Sequence, residues 1–270
     1  MIKNFKQQYG QWAVVIGGTS GIGESLSDLI AQQGINIILV ARQKSVLVSK
    51  ANDLSHRFSV EVKTIQADLS DANDITKVIE QTQELDVGLF IPCAGLETHG
   101  ALIDIPLEEE LRLLQLNVIS TLSLTRHFSQ LFSNKGKGGI LLVSSMSGHA
   151  PSPYTANYSG SKAYVLQLGL SLHWEMKQKG VDVTVLSPGF TTTPMTKAFD
   201  ELREGAENPF PVLTPNQVAN EALNALGKQP LIIPGRKNRF MISIMRRVLT
   251  TVKGINLAGK MVEKVYGFNR

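Results

Sequence analysis

One cysteine, Cys93, is all that the 270-residue sequence contains, which excludes an internal disulfide and any cysteine-based zinc cluster. A lone thiol also fits a reducing compartment. No apolar run approaches the ~18 residues that a bilayer-spanning helix requires. The early stretch AVVIGG, 13–18, is too short for a secretory core and passes directly into a glycine loop. The five histidines (56, 99, 127, 149 and 173) form no H-E-x-x-H or comparable ligand spacing, so no metal is expected. Repeats and low-complexity tracts are missing, and with 43% hydrophobic and 19% charged residues the chain has material for a sizeable core. The expectation is a soluble, cytoplasmic protein.

Acidic residues are scarce in one place only. Residues 228–270 hold ten Lys or Arg and a single acid, Glu263, while the rest of the chain is near −5, so the net charge of +4 belongs to the tail. There Met241, Ile244, Met245, Val248, Leu249 and Val252 recur at helical spacing, with Arg239, Ser243, Arg246, Arg247, Thr250 and Lys253 on other faces. A second stripe runs Leu257, Met261, Val265. Such a basic amphipathic helix either folds onto the domain or into a subunit interface, or lies on an anionic membrane surface. Nucleic acid is not expected.

Ahead of the tail, short apolar runs alternate with amphipathic segments. Strands are expected at 12–18, 35–42, 60–66, 87–95, 139–145, 181–189 and 230–235. Helices are expected between them, including one long helix from Pro106 and another over 155–179; residues 190–213, with three prolines, read as a loop. This order predicts an α/β fold, a doubly wound Rossmann-type parallel sheet of about seven strands with helices on both faces. The division is a catalytic domain, 1–235, and a C-terminal extension, 236–270.

GGTSGIG, Gly17 to Gly23, lies between the first strand and the first long helix, where a dinucleotide pyrophosphate rests against a helix N-terminus. Gly17 supplies a tight turn, Gly21 lets phosphates approach the backbone, Gly23 lets helix and sheet pack closely, and Thr19 and Ser20 offer hydroxyls. The spacing is not the usual G-x-G-x-x-G. The second strand ends Val40-Ala41-Arg42, without the acid that holds the ribose of NAD, and an arginine there pairs with a 2′-phosphate. NADP is therefore favoured over NAD; the plainer alternative for Arg42 is a surface charge. Asp68, in ADLS after the third strand, either accepts the adenine amino group or serves as an N-cap or turn residue.

The fifth strand ends in Ser144-Ser145, Tyr158 and Lys162 fall one turn apart in YSGSK, and Asn117 is a polar amide inside an apolar helix. In order and spacing, GGTSGIG, ADLS, LNVIS, VSSMSGHAP, YSGSK and SPGFTTTP resemble the short-chain dehydrogenases/reductases over residues 11 to 235. The resemblance implies hydride transfer between a nicotinamide cofactor and a small-molecule carbonyl or secondary alcohol. It implies a proton relay of Asn117, Ser145, Tyr158 and Lys162, with Asn117 binding a water. The implied cofactor contacts are Gly17, Thr19, Ser20, Gly21, Ile22, Gly23, Arg42, Asp68, Leu69, Ala94, Gly95, Asn117, Tyr158, Lys162, Pro188, Gly189 and Thr191. It also implies a homodimer or homotetramer. A phenol of pKa ≈ 10 is a poor base, and an ammonium at ~4 Å is expected to lower it by about three units.

The family usually has threonine where Ile16 stands and NNAG where this chain reads Pro92-Cys93-Ala94-Gly95, so bracing around the fourth strand must differ. Two alternatives follow: a non-catalytic dinucleotide-binding sensor, and a membrane-surface reductase of lipid-like carbonyls. Phe190, Met195, Phe199 and Phe210 hint at an apolar ligand.

Overall fold

Apolar side chains at successive positions bury both faces of the central strands, and this dictates the layers. In the computed structural model, which describes residues 5–197, 210–248 and 251–266, seven parallel strands form one sheet ordered β3-β2-β1-β4-β5-β6-β7. They are β1 Trp12–Ile16, β2 Asn36–Ala41, β3 Val62–Gln66, β4 Val87–Pro92, β5 Gly138–Val143, β6 Val181–Leu186 and β7 Leu231–Ile232. Ala13, Val15, Ile37 and Leu39 face one core layer; Val14, Ile16, Ile38 and Val40 face the other. The first layer is covered by α1 Phe5–Tyr9, α2 Gly21–Ala31, α3 Lys44–Phe58 and, later in the chain, α8 Pro215–Ala225. The second is covered by α4 Ala72–Thr82, α6 Thr121–Lys135 and α7 Ala156–Lys177. Among the described residues the other α-helices are α5 Leu107–Leu114, α9 Arg236–Val248 and α10 Thr251–Tyr266.

The strands are shorter than the apolar runs suggest, for local reasons. Gly17 turns the chain at φ +73°, ending β1. Pro92 ends β4 opposite Ile16, and the Cys93 N–H then donates to the Ile16 carbonyl at 3.0 Å. That backbone bond braces the loop where the family's two asparagines are missing. The strand order reverses between β1 and β4, the switch point, and one strand further on β4 and β5 pair only at Leu89–Gly139 and Phe90–Ile140, so their carboxyl ends part.

The long helix expected from Pro106 is interrupted. Residues Gln115–Ser120 form a π-helical turn between α5 and α6, and the extra residue turns Asn117 inward. The N-terminal α1, which carries too few residues to show a period, buries Phe5 and Tyr9. The described parts of the tail pack on the domain. Asn238 and Ile242 of α9 are buried, Arg239 pairs with Glu221 at 2.8 Å, and Glu263 of α10 accepts a hydrogen bond from the Tyr154 hydroxyl at 3.0 Å. Among the described residues no helix is long and apolar enough to cross a membrane. Phe199, Leu249 and Thr250, and the side chains of Arg246, Arg247, Val248, Met261 and Val265, lie outside the described residues.

Gly88 marks where α1 meets the sheet: a Cβ there would sit 2.1 Å from the Tyr9 carbonyl oxygen. Gly88→Ala is expected to cost about 1–3 kcal/mol in urea unfolding, with dinucleotide affinity of the folded protein unchanged.

Candidate active site

At the carboxyl ends of the strands lies a cavity of about 1010 Å³. Its walls come from the β1–α2 loop, the ends of β2 to β6, the start of α7, the 188–196 loop and the two C-terminal helices. Every expected site residue lines it except Asn117.

The glycine loop meets the steric demands of its position. Gly17 and Gly21 have positive φ, +73° and +55°. A Cβ on Gly17 would lie 2.9 Å from the Ala94 nitrogen, and one on Gly23 would lie 2.2 Å from the Gly17 oxygen. Ser20, the N-cap of α2, makes no side-chain capping bond, so the first N–H groups of this helix are left for an anion. Thr19, Ser20, Ile22 and Gly23 line the cavity beside them. The residues present fit a dinucleotide. The opposite wall adds Thr193, whose Cγ2 is 2.9 Å from a Cβ position on Gly21.

Further along, Arg42 is exposed on the rim and Leu69 lines the wall. Asp68 lines it too, but its carboxylate accepts the Ser70 amide and hydroxyl and the Arg112 guanidinium at 3.0 Å. Burial works to raise this carboxyl, and those hydrogen bonds with the Arg112 charge hold it below the usual range. The side chain thus holds a turn while still lining the cavity, and the α4 N-cap is Asp71.

Tyr158 and Lys162 are both buried, at 7% and 6% exposure. The Lys162 ammonium donates to the Val143 carbonyl at 3.1 Å, just where β5 has parted from β4, and stands 5.7 Å from the Tyr158 ring centroid. It faces Gly95, where a Cβ would approach Nζ to 3.4 Å. Ser144 ties the strand to the helix by donating to the Lys162 carbonyl at 2.7 Å. Ser145 Oγ accepts the Ser147 N–H at 3.2 Å and stands beside the Tyr158 phenol.

In the protein alone the phenol stands above its ordinary value. Burial pushes it up, negative charge at Glu97 adds to that, and the Ser145 hydroxyl only partly opposes it. Burial likewise lowers the lysine, against the pull of Cys93 and Glu97. Desolvation is the largest influence on both groups because they sit in the same wall. Asn117, for its part, stands behind the wall. Its amide donates to the Leu96 carbonyl at 2.8 Å and to Ser161 at 3.1 Å, and accepts the Leu96 N–H at 2.9 Å. Both of its N–H donors are therefore used within the protein.

Pro188, Gly189 and Thr191 lie at the other end of the crevice. A Cβ on Gly189 would meet the Met146 sulfur at 2.8 Å and the Asn238 amide at 2.9 Å, so α9 closes directly on this loop. Met241, Met245, Leu257 and Val262 complete an apolar wall with Phe190 and Phe210, whose rings stack at 5.1 Å. The tail's part in the cavity was not readable from its helical period, which says which face is apolar but not what covers it. Glu97 also lines the cavity; nothing in its local sequence separates it from a surface acid. Among the described residues no group of three or more His, Cys, Asp or Glu gathers to hold a metal.

The family model for short chain dehydrogenase matches residues 11–204. A 7beta-hydroxysteroid dehydrogenase of Collinsella aerofaciens is 30% identical over 239 residues, covering 87% of this chain and 90% of the relative. A solved structure from work on 7beta-hydroxysteroid dehydrogenase stereoselectivity superposes with a TM-score of 0.87 at 28% identity, over 94% of this chain and 98% of that one. A short-chain dehydrogenase from Sphingobium yanoikuyae in complex with NADPH gives a TM-score of 0.76 at 26% identity, over 89% and 98%.

Gly21→Ala, which strains a left-handed residue and presses on Thr193, is expected to weaken NADPH binding at least about tenfold by calorimetry.

Proposed function

The chain belongs to the short chain dehydrogenase family, an oxidoreductase that interconverts a carbonyl and an alcohol, and on that premise we propose an NADP(H)-dependent reaction on a bulky, apolar substrate. One observation carries the reading: Ser145, Tyr158 and Lys162 share one cavity with the glycine loop. The non-catalytic sensor and the membrane-surface reductase find no favouring observation.

When bound, a nicotinamide exchanges hydride with the reacting carbon. The groups that would hold the dinucleotide are the loop Gly17–Gly23, Arg42, Ala94, Gly95 and the segment Pro188–Thr191. Preference for NADP rests on the exposed Arg42 guanidinium at the end of β2 and on the absence of an acid there. Tyr158 serves as the acid in reduction and the base in oxidation, giving its proton to the substrate oxygen or taking one from it. The Ser145 hydroxyl stabilises charge developing on that oxygen. Lys162 keeps a positive charge beside the phenol and favours its ionised form once the proton has left. Asn117 is a positioning residue: by holding both backbone groups of Leu96 it keeps Gly95 open in front of the lysine.

The apolar preference rests on Phe190, Phe210, Met241 and Met245 around the cavity, and on the hydroxysteroid-directed relative. In this reading residues 1–235 are the catalytic domain, and the extension, 236–270, supplies part of the substrate wall. Leu107 and Trp174, at 72% and 71% exposure on α5 and α7, support a homo-oligomer.

Tyr158→Phe is expected to lower kcat about a thousandfold in NADPH-coupled ketone reduction while leaving NADPH affinity within about twofold. Burial holds the phenol above its ordinary value, so it stays protonated through the neutral range. Reduction is therefore expected to be level between about pH 5 and pH 7, below the titration of the cavity's carboxyl groups, and oxidation to rise with pH at up to about tenfold per unit. Arg42→Ala is expected to lower kcat/KM with NADPH about tenfold to a hundredfold and to leave the NADH value nearly unchanged.

A further inference from the structure

Glu97 stands two residues beyond Gly95 on the loop after β4, partly buried, in the wall that holds Tyr158 and Lys162. Its backbone neighbour Leu96 is clamped on both sides by Asn117, so the loop has little freedom to carry the side chain away. Among the described residues none hydrogen-bonds or ion-pairs with its carboxyl. Of the groups beside it, Lys162 gives one N–H to the Val143 carbonyl, and Ser145 Oγ accepts the Ser147 N–H. The far wall is methionine, leucine, valine and phenylalanine. A carboxyl that lines the cavity without a protein partner is free to meet a donor there. In a site shaped to admit a ligand, the partner comes with the ligand.

We infer that Glu97 is a specificity-determining residue whose carboxyl receives a hydroxyl hydrogen carried by the substrate close to its reacting carbon. The preferred substrate is then an apolar carbonyl or alcohol bearing a second hydroxyl beside the reaction centre, and a carboxylate in that place is rejected. This rests on the oxidoreductase reading above. Burial pushes the Glu97 carboxyl up to about 8 although the Lys162 charge opposes it, so near neutrality the group is largely an uncharged acid that both accepts and donates. It thereby meets a hydroxyl without imposing a full negative charge on the departing phenol proton. Its place two residues beyond Gly95, whose Cβ position lies 3.4 Å from the Lys162 ammonium, sets it at the Tyr158–Lys162 end of the cavity.

The test compares 2-hydroxycyclohexanone with 2-methylcyclohexanone, both reduced with NADPH by the full chain, Glu97→Leu and Glu97→Gln. The full chain is expected to favour the hydroxy ketone about tenfold in kcat/KM. Glu97→Leu is expected to lose that preference through the hydroxy ketone alone, and Glu97→Gln, whose amide oxygen still accepts, to keep most of it. An NADPH affinity shared by all three proteins shows that the variants are folded. Equal losses on both ketones, or no preference in the full chain, overturn the inference. If neither ketone is reduced, the oxidoreductase reading fails for these ketones and calorimetry on the NADPH complex decides the rest. Tighter binding of trans-1,2-cyclohexanediol by the full chain than by Glu97→Leu sustains the role of Glu97, and equal binding removes it.

Discussion

A lysine ammonium kept in a dry wall by one backbone carbonyl is the constraint around which the rest of this molecule is arranged. Lys162 is 6% exposed and its ammonium donates to Val143 at 3.1 Å. Burying such a charge costs several kcal/mol unless its hydrogen-bonding needs are met. The fold meets them in part. β4 and β5 separate after two paired positions, which leaves the Val143 carbonyl for the lysine. Ser144 anchors the helix to the strand through the Lys162 carbonyl. Gly95 has no side chain to fill the space before the ammonium, and Asn117 fixes the loop that follows. What remains unmet faces the cavity, where a ligand's hydroxyls can complete it.

The same desolvation that burdens the lysine governs its neighbours. Burial raises the Tyr158 phenol, takes the Cys93 thiol up to about 11 and the Glu97 acid up to about 8, and lowers His99 to about 4. Each shift favours the uncharged form, as expected for a wall with little water. For a reductase this is an advantage, because a protonated phenol is the form that donates. The basic tail contributes to the dryness. Its helices carry most of the chain's excess positive charge, yet they present Met241, Met245 and Leu257 to the cavity.

How much of this was readable beforehand depends on the range of the interaction involved. The glycine loop, the paired Tyr158 and Lys162, and the alternation of strand and helix are local patterns whose spacing carries the information. The missing asparagines at Pro92 and Cys93 were visible as a gap, but the remedy, a Cys93 amide donating to Ile16, joins residues far apart in the chain. The π-turn that rotates Asn117 behind the wall has no periodic signature, since one extra residue per turn looks like any other helix. The fate of Asp68 was left between two roles because Arg112, which claims its carboxylate, lies on another helix.

The sequence by itself determined the doubly wound sheet, the dinucleotide loop and the identity of the reactive side chains, because backbone period, turn chemistry and short-range spacing are written in neighbouring residues. Only the tertiary structure decided the electrostatic state of those side chains, the isolation of Glu97 and the destination of the basic tail. These depend on which distant groups exclude water from a shared wall, and desolvation is a property of the packed assembly rather than of any one segment.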